Sequence, residues 1–360
     1  MHGECLSCCG FRWQQIHRLS KHSHSCFITT TMAPVFHQHS TGEEVAKAFP
    51  SRVEGKTFVI TGTSVGGIGA ATAVAFAHSK PKTLFLTGRT QSKTEPVIAE
   101  IKKISPTTKT VFVELDLADQ DSVRRAAKIV LDGGDAEVIH GLINNAGVMA
   151  TPYEKTKQGI EVQFGTNHIG HFLWTKLLLP RVLAAGPHGR VVNLGSMAYV
   201  MSDVNLDDIT WSDGKTYHPW RAYGSSKVAV MLFNVHLSAL LKGKGVQAFA
   251  VQPGMPQTPL YAHTQDPESK SSFAEAYKVI QERWAGKENP SGDAAEDEKT
   301  LETAASTLVY AALSPDLDDK SGTFLRNCEP FTLAPYATDP KNAEKLWKLS
   351  EELVGEKFDI

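Results

Sequence analysis

Short apolar runs separated by glycine-containing or polar turns recur along most of the chain, and stretches of helical composition lie between them. Residues 57–60, 83–87, 110–115, 138–143, 191–194 and 246–251 read as buried strands, because runs of this length are too short for buried helices. Residues 70–78, 95–104 and 120–131 read as helices. Strands alternating with helices of this length predict parallel pairing, right-handed crossovers and helices on both faces, that is, an α/β doubly wound parallel sheet.

The flanks differ from this pattern. Ser40-Thr41-Gly42-Glu43-Glu44 supplies capping hydroxyls and first-turn acids for a short helix that ends at Phe49, before Pro50. Residues 1–31 carry Cys5, Cys8, Cys9, several histidines, Arg12, Arg18 and Lys21, with Glu4 as the sole acid. A targeting peptide, a Cys/His metal knuckle and a dispensable extension upstream of Met32 compete to explain them. The metal reading has only a half-site in Cys5-x-x-Cys8-Cys9. The expected organisation is an N-terminal extension over 1–50, disordered to about 31 and then a short helix, followed by one catalytic domain over 51–360. Residues 261–299 are polar and irregular apart from a helical stretch near 273–284. They follow the sixth strand, so they are predicted to cap a substrate cleft beyond the carboxyl ends of the strands.

Composition narrows the partners. With 41% hydrophobic and 21% charged residues and a net charge of -2, the chain has no electrostatic reason to bind nucleic acid or an anionic membrane, and a small-molecule substrate fits better. Five cysteines, four of them within the first 26 residues, do not make a disulfide framework, so a reducing compartment is expected. No apolar run is long enough to be a transmembrane segment. Cytoplasmic placement follows, with the targeting peptide left open.

Candidate chemistry sits where such a sheet needs it. Thr61-Gly62-Thr63-Ser64-Val65-Gly66-Gly67-Ile68-Gly69 lies between the first strand and the first helix. Glycines there let backbone approach a pyrophosphate while the helix N-terminus offers N–H donors, which makes Gly62, Gly67, Ile68 and Gly69 candidate cofactor contacts. A glycine turn without a ligand is the competing reading. The second strand runs into Leu86-Thr87-Gly88-Arg89, at the point where an acid would hydrogen-bond the ribose 2′-hydroxyl of NAD. Arg89 can instead fork onto a 2′-phosphate, which selects NADP (NADPH); a solvated strand-end arginine is the alternative.

Tyr223-Gly224-Ser225-Ser226-Lys227 opens a long amphipathic helix, and a separation of four puts phenol and ammonium on one face. A free phenol titrates near pH ~10, so a neighbouring cation, together with a positively charged nicotinamide, would suit Tyr223 to proton transfer near neutrality. A bare Tyr–Lys pair is ordinarily amphipathic surface, so the pair needs companions. They are Ser196, which follows the strand in Val191-Val192-Asn193-Leu194-Gly195-Ser196, and Asn144 in Asn144-Asn145-Ala146-Gly147. Each alone reads as a turn with polar caps; together they can surround one cleft.

With these motifs in this order the chain resembles the short-chain dehydrogenase/reductase family from about Gly55 to Phe324. The resemblance implies a single-domain Rossmann-type fold. It also implies catalytic roles for Ser196, Tyr223 and Lys227 and for Asn167 in Thr166-Asn167-His168-Ile169-Gly170-His171-Phe172. Asp116-Leu117 matches the adenine contact, and Pro253-Gly254 followed by Thr258 matches the nicotinamide-side loop. Tyr223 and Lys227 would touch the cofactor, Lys227 holding its ribose and lowering the Tyr223 pKa, while Asn167 supports a water leading from Lys227 to solvent. Thr87-Gly88-Arg89, the segment 167–172, the widened interval from Ser196 to Tyr223 and Leu346-Trp347-Lys348-Leu349-Ser350 most resemble the retinol-dehydrogenase-like branch and its fungal relatives. The family's habit points to a homo-oligomer. Two features depart from the pattern. The glycine loop is one residue longer than the pattern, with Gly66 or Gly67 inserted, and Pro256 replaces a β-branched residue, which predicts one missing cofactor hydrogen bond.

The expected activity is hydride transfer between NADPH and a secondary alcohol or carbonyl. Ser196 bonds the substrate oxygen and Tyr223 gives or takes its proton. Tyr199, Val200, Trp211, Tyr217 and Trp220 suggest a hydrophobic substrate such as a retinoid, steroid, polyketide or aromatic carbonyl, the last two as for a ketoreductase of secondary metabolism. A catalytically silent NADP sensor would lack the Tyr–Lys pair, and a nucleotide-fold methyltransferase would carry an acid where Arg89 stands. His168 and His171 lack a third ligand and read as core histidines, so no metal is expected. Cys328 reads as a buried small residue.

Overall fold

The computed structural model describes residues 34–290 and 298–360; the Cys/His-rich segment, with the readings attached to it, and positions 291–297 of the capping stretch lie outside the described residues. Helix α1 (Gly42–Ala48) starts with the reciprocal cap expected of Thr41 and Glu44. Glu44 N–H donates to Thr41 Oγ1 at 3.2 Å and Thr41 N–H to Glu44 Oε2 at 2.7 Å. This helix packs into the domain. Val45 and Ala46 are fully buried, and a Cβ on Gly42 would lie 3.0 Å from Ala75 Cβ and 3.2 Å from Ala305 Cβ, so only glycine lets it come so close.

The alternation then follows: β1 (Thr57–Thr61), α2 (Ile68–Ala77), β2 (Thr83–Gly88), α3 (Glu95–Ile104), β3 (Lys109–Glu114), α4 (Gln120–Asp132) and β4 (Gly141–Asn144). A continuous helical rod of α5 (Val162–Phe164), a π turn (Gly165–Ile169) and α6 (Gly170–Leu183) leads to β5 (Arg190–Leu194). After it come α7 (Pro219–Leu240), β6 (Gln247–Gln252), β7 (Met255–Pro256), α8 (Phe273–Arg283), β8 (Glu298–Lys299), α9 (Leu301–Leu313), β9 (Phe324–Arg326), β10 (Glu329–Pro330) and α10 (Pro340–Val354).

The main sheet runs β10-β9-β6-β5-β4-β1-β2-β3, parallel throughout except for β10 against β9. Strand side chains alternate between two cores. Phe58 and Ile60 pack with α1, α2, α3 and α9 on one face; Val59 packs with α4, α6, α7 and α10 on the other. The chain winds outward from β1 through β3, then returns to β4 beside β1. This reversal opens a crevice at the carboxyl ends of β1 and β4.

Four expectations need correction. The fourth strand starts at Gly141, because the Ile139 N–H bonds the Arg181 carbonyl at the end of α6. The helix carrying Tyr223 starts at Pro219, so the phenol sits in its second turn; residues 222–234 are buried without a break, so this stretch is not amphipathic. Strands follow the sixth one, and each spans only two or three residues, too short to show a period. Among the described residues no helix is long and apolar enough to cross a membrane.

Candidate active site

The loop from β1 into α2 is shaped by what it must approach. Gly62 has φ +73°, and a Cβ there would stand 2.9 Å from Ala146 Cα; on Gly69 it would stand 2.5 Å from both Asn145 Nδ2 and the Gly62 carbonyl oxygen. The extra loop residue is absorbed at Gly66, left-handed at φ +78°, and Gly67, which caps α2 with no side-chain bond, leaving Ile68 as the first helical residue. The N–H groups of the first turn of α2 are available to an anion. Arg89 follows β2 and is exposed, and no hydrogen bond or ion pair holds its guanidinium among the described residues. Gly88 before it faces Ser64, with Ser64 Oγ 3.9 Å from where a Cβ would be, so Arg89 stands beside the loop.

Other sequence-chosen residues fall around this cradle. Thr258 caps the turn Pro259–Thr264, receiving the Leu260 N–H at 3.3 Å, and Pro259 Cδ comes within 3.8 Å of a Cβ placed on Gly66. Pro256 is buried in β7, paired with Lys299. Asp116 lies just beyond β3, its Oδ1 receiving the Ala118 N–H at 2.9 Å.

Asn144 is placed differently from expectation. Its Nδ2 donates to Thr175 Oγ1 and Asn193 Oδ1, both at 2.9 Å, so its side chain braces β4 against α6 and β5. Asn145 faces the cradle, donating to the Thr61 carbonyl at 2.8 Å and the Gly62 carbonyl at 3.2 Å. Side chains alternate along a strand, and Asn145 is the next residue after β4, so that parity is the signal that would have found it.

Ser196, Tyr223, Lys227 and Asn167 are brought together. Ser196 follows β5 in an extended conformation, its Oγ receiving the Ala198 N–H at 3.1 Å, and its hydroxyl lies near enough to the Tyr223 phenol to lower the phenol pKa. Lys227, one turn after Tyr223, donates from Nζ to the Leu194 carbonyl at 2.7 Å and stands 5.7 Å from the Tyr223 ring centroid. Asn167 sits in the π turn, Oδ1 receiving the Val148 N–H at 2.8 Å and Nδ2 donating to the Val148 carbonyl at 3.0 Å. A Cβ on Gly147 would lie 3.0 Å from Asn167 Oδ1 and 4.0 Å from Lys227 Nζ, so the Asn-Asn-Ala-Gly turn fills the space between these groups.

Their electrostatics are governed by burial. Tyr223 is 6% exposed, and desolvation holds its phenol well above the usual range, the Ser196 hydroxyl working against this. Burial pushes Lys227 down to about 7. By itself the protein raises the phenol through burial, and burial likewise disfavours the charge of Lys227.

An apolar wall covers the phenol: Met149, Met201, Trp220, Tyr261, Leu260 and Phe273 form one cluster with Tyr223. Of the aromatic and aliphatic residues singled out in the sequence, Trp220 alone belongs to it. Tyr199 and Val200 pack in the larger core toward α10, the Tyr199 hydroxyl receiving the Ala334 N–H, while Trp211 and Tyr217 meet edge to face near Tyr153. Leu260, Tyr261 and Phe273 of the wall come from the segment after β6, whose polar composition hides its few inward residues. His168 bonds Ser350 and His171 bonds Thr61, both as core side chains. Cys328 is buried against Ser306 and Thr307, and burial pushes its thiol up.

Comparison with known proteins agrees with this geometry. The profile described as short chain dehydrogenase matches residues 56–207. Human retinol dehydrogenase 13 is 35% identical over 86% of this chain and 88% of its own length. The chain belongs to the short-chain dehydrogenase/reductase family. Within it, the short-chain dehydrogenase/reductase prx1 of Penicillium roqueforti is 33% identical over 83% of this chain and 85% of its own. A crystal structure of an uncharacterized protein from Mycobacterium paratuberculosis superposes with a TM-score of 0.64 at 32% identity, covering 88% of this chain and 98% of that one. The short-chain dehydrogenase/reductase described here is therefore similar to the retinol dehydrogenases and to a fungal member, and is an oxidoreductase working between alcohols and carbonyls.

Proposed function

We propose that the chain is an NADP-dependent dehydrogenase/reductase that interconverts a hydrophobic alcohol and its carbonyl, with Tyr223 as proton donor or acceptor. The observation that carries this is the Tyr223 phenol, with Ser196 beside it, enclosed by an apolar wall, and with Lys227 one turn away. The residues present fit a dinucleotide. Side chains are absent at Gly62 and Gly69, where a Cβ would clash, helix N–H groups border the loop, and an unpaired guanidinium stands at the end of β2. Gly62, Gly66, Gly67, Ile68, Gly69, Arg89 and Thr258 would hold it, with Asp116 and Asn145 at its edges.

A bound nicotinamide supplies or takes the hydride. The chain's own residues manage the proton and the oxygen. Ser196 Oγ hydrogen-bonds the substrate oxygen as charge changes on it, and Tyr223 passes the proton across the same short distance. The apolar wall excludes water, and a high phenol pKa keeps the proton on Tyr223 until an anionic oxygen forms beside it. Lys227 stands where a charge restored by cofactor binding would lower that pKa. The wall admits a retinoid, steroid, polyketide or aromatic carbonyl, and the name of the human relative favours the retinoid class. Cytoplasmic placement belongs to the same proposal.

The test is a fluorescence titration with NADPH and NADH, wild type against Arg89→Ala. NADPH is expected to bind more tightly and to lose about tenfold to a hundredfold in the variant, as for hydrogen bonds to a charged phosphate, with NADH unchanged. Equal affinity for both nucleotides in both proteins would overturn the NADP assignment.

A further inference from the structure

His171 is 5% exposed, and its neighbours admit one protonation state. Nδ1 lies 3.1 Å from the Asn167 carbonyl oxygen, which can only accept, so Nδ1 carries a hydrogen. Nε2 lies 2.9 Å from Thr61 Oγ1. That hydroxyl already receives the N–H of Asn145 at 2.9 Å and of Ala146 at 3.0 Å, which fills its two lone pairs. It therefore donates its hydrogen to Nε2, the alternative acceptor at Ile143 being farther away at 3.4 Å. His171 is neutral and locked as the Nδ1–H tautomer. Burial, assisted by the charge of Lys227, pushes its pKa down to about 4 against the opposing bond to Asn167.

The groups it joins are the parts of the site. Thr61 ends β1 and immediately precedes Gly62 of the cradle. Asn167 Nδ2 donates to Ser226 Oγ at 2.9 Å, and Ser226 donates to the Tyr223 carbonyl at 2.8 Å. A hydrogen-bonded path thus runs from the loop through His171 and Asn167 to the backbone of the residue that bears the phenol. We propose that His171 is a positioning residue: it ties the start of the cradle at Thr61 to the π turn that presents Asn167, and so fixes the cradle relative to Tyr223. The role rests on the functional reading above. His168 serves as an internal contrast. Its Nε2 lies 2.7 Å from Ser350 Oγ, whose hydrogen goes to the Leu346 carbonyl at 2.8 Å, so His168 is the Nε2–H tautomer.

Nitrogen-15 NMR of histidine-labelled protein reads these states without turnover. His171 is expected as Nδ1–H and His168 as Nε2–H, neither titrating between pH 8 and 5 (pKa about 4 and about 3). A His171 in the Nε2–H form, or titrating near its ordinary value of 6.5, overturns the proposal while leaving the NADP reading untouched. Kinetics then separate the two bonds. His171→Asn keeps a donor near Nδ1 and His171→Gln an acceptor near Nε2. The Asn variant is expected to hold kcat and its pH profile while NADPH binding weakens about fivefold, a single lost hydrogen bond. The Gln variant is expected to hold NADPH affinity and lose about tenfold in kcat, with the pH profile displaced. Lowered thermal stability in both with kcat, Kd and pH profile unmoved, or both parameters moving alike in both variants, would mean that His171 merely fills the core.

Discussion

Strand β5 has a buried cation at each end. Arg190 opens it at the amino edge, and Lys227 closes on its last carbonyl, Leu194, at the carboxyl edge. Both are almost wholly buried, Arg190 at 0% and Lys227 at 4% exposure. Arg190 has a carboxylate, Asp318, which Arg52 also grips at 2.6 Å, and it lies over the Phe249 ring. Lys227 has one carbonyl, and no acidic side chain pairs with it among the described residues. A guanidinium keeps its proton under burial; an ammonium without a counter-ion is pushed down to about 7. The same sheet thus neutralises its buried charge where only folding is at stake and leaves it uncompensated beside the candidate site.

The largest expected effect lies at the carboxyl edge and touches neither cation. Tyr223→Phe keeps the ring, its contact with Trp220 and the burial of Lys227, and removes only the hydroxyl beside Ser196. Turnover should fall by about 10³-fold, in the range of general acid–base effects, while NADPH binding by fluorescence stays within about threefold. Retained activity would remove Tyr223 from the proposed mechanism and end the contrast between a stabilising and a functional edge.

The next effect tests the amino edge. Asp318→Ala leaves Arg190 charged, buried and without its carboxylate. Breaking a buried pair costs about 3–5 kcal/mol, and the 43% exposure of the Asp318 side chain brings the expected loss to about 2 kcal/mol. Chemical denaturation should show it as a lower midpoint, with kcat per folded molecule unchanged. A fall in kcat at unchanged stability would show that the two ends of β5 are not separate.

How legible these edges were in the sequence differs for physical reasons. The cofactor half was readable because βα units announce themselves: glycines at Gly62 and Gly69 are required by backbone approach, and β1, β2 and α3 have the period of their type. Tyr223, Lys227 and Ser196 were readable as a set because a spacing of four and a strand end fix their places, and the structure brings them to one point. Asn144 and Asn145 were confused because two adjacent amides look alike, and only strand parity, fixed by where β4 ends, says which one faces the cradle. A cap from the segment after β6 was expected from its position, but which of its residues line the wall was not legible, because Leu260, Tyr261 and Phe273 are scattered through polar sequence. Asp318 was invisible for a related reason: it lies far along the chain from Arg190, and one acid in a polar loop has no pattern.

The smallest expected effect sharpens the comparison most, since it concerns Lys227 itself. Its pKa falls from 10.5 to about 7 on folding, so between these values the unfolded chain binds more protons than the folded one. Stability contributed through this group therefore rises with pH across that window, by at most about 1.4 kcal/mol per pH unit. Below about pH 7 the folded protein must carry the charge in a buried place. Lys227→Met removes the charge at similar volume and leaves the Leu194 carbonyl without its donor, a loss of about 1 kcal/mol. The variant should lack turnover, its stability relative to wild type should be highest near pH 6.5, and wild type should gain on it by at most about 1.4 kcal/mol per pH unit as the pH is raised toward 9. Parallel stability curves across this range would mean that Lys227 keeps an ordinary ammonium in the folded protein, and that the carboxyl edge compensates its buried cation as fully as the amino edge does.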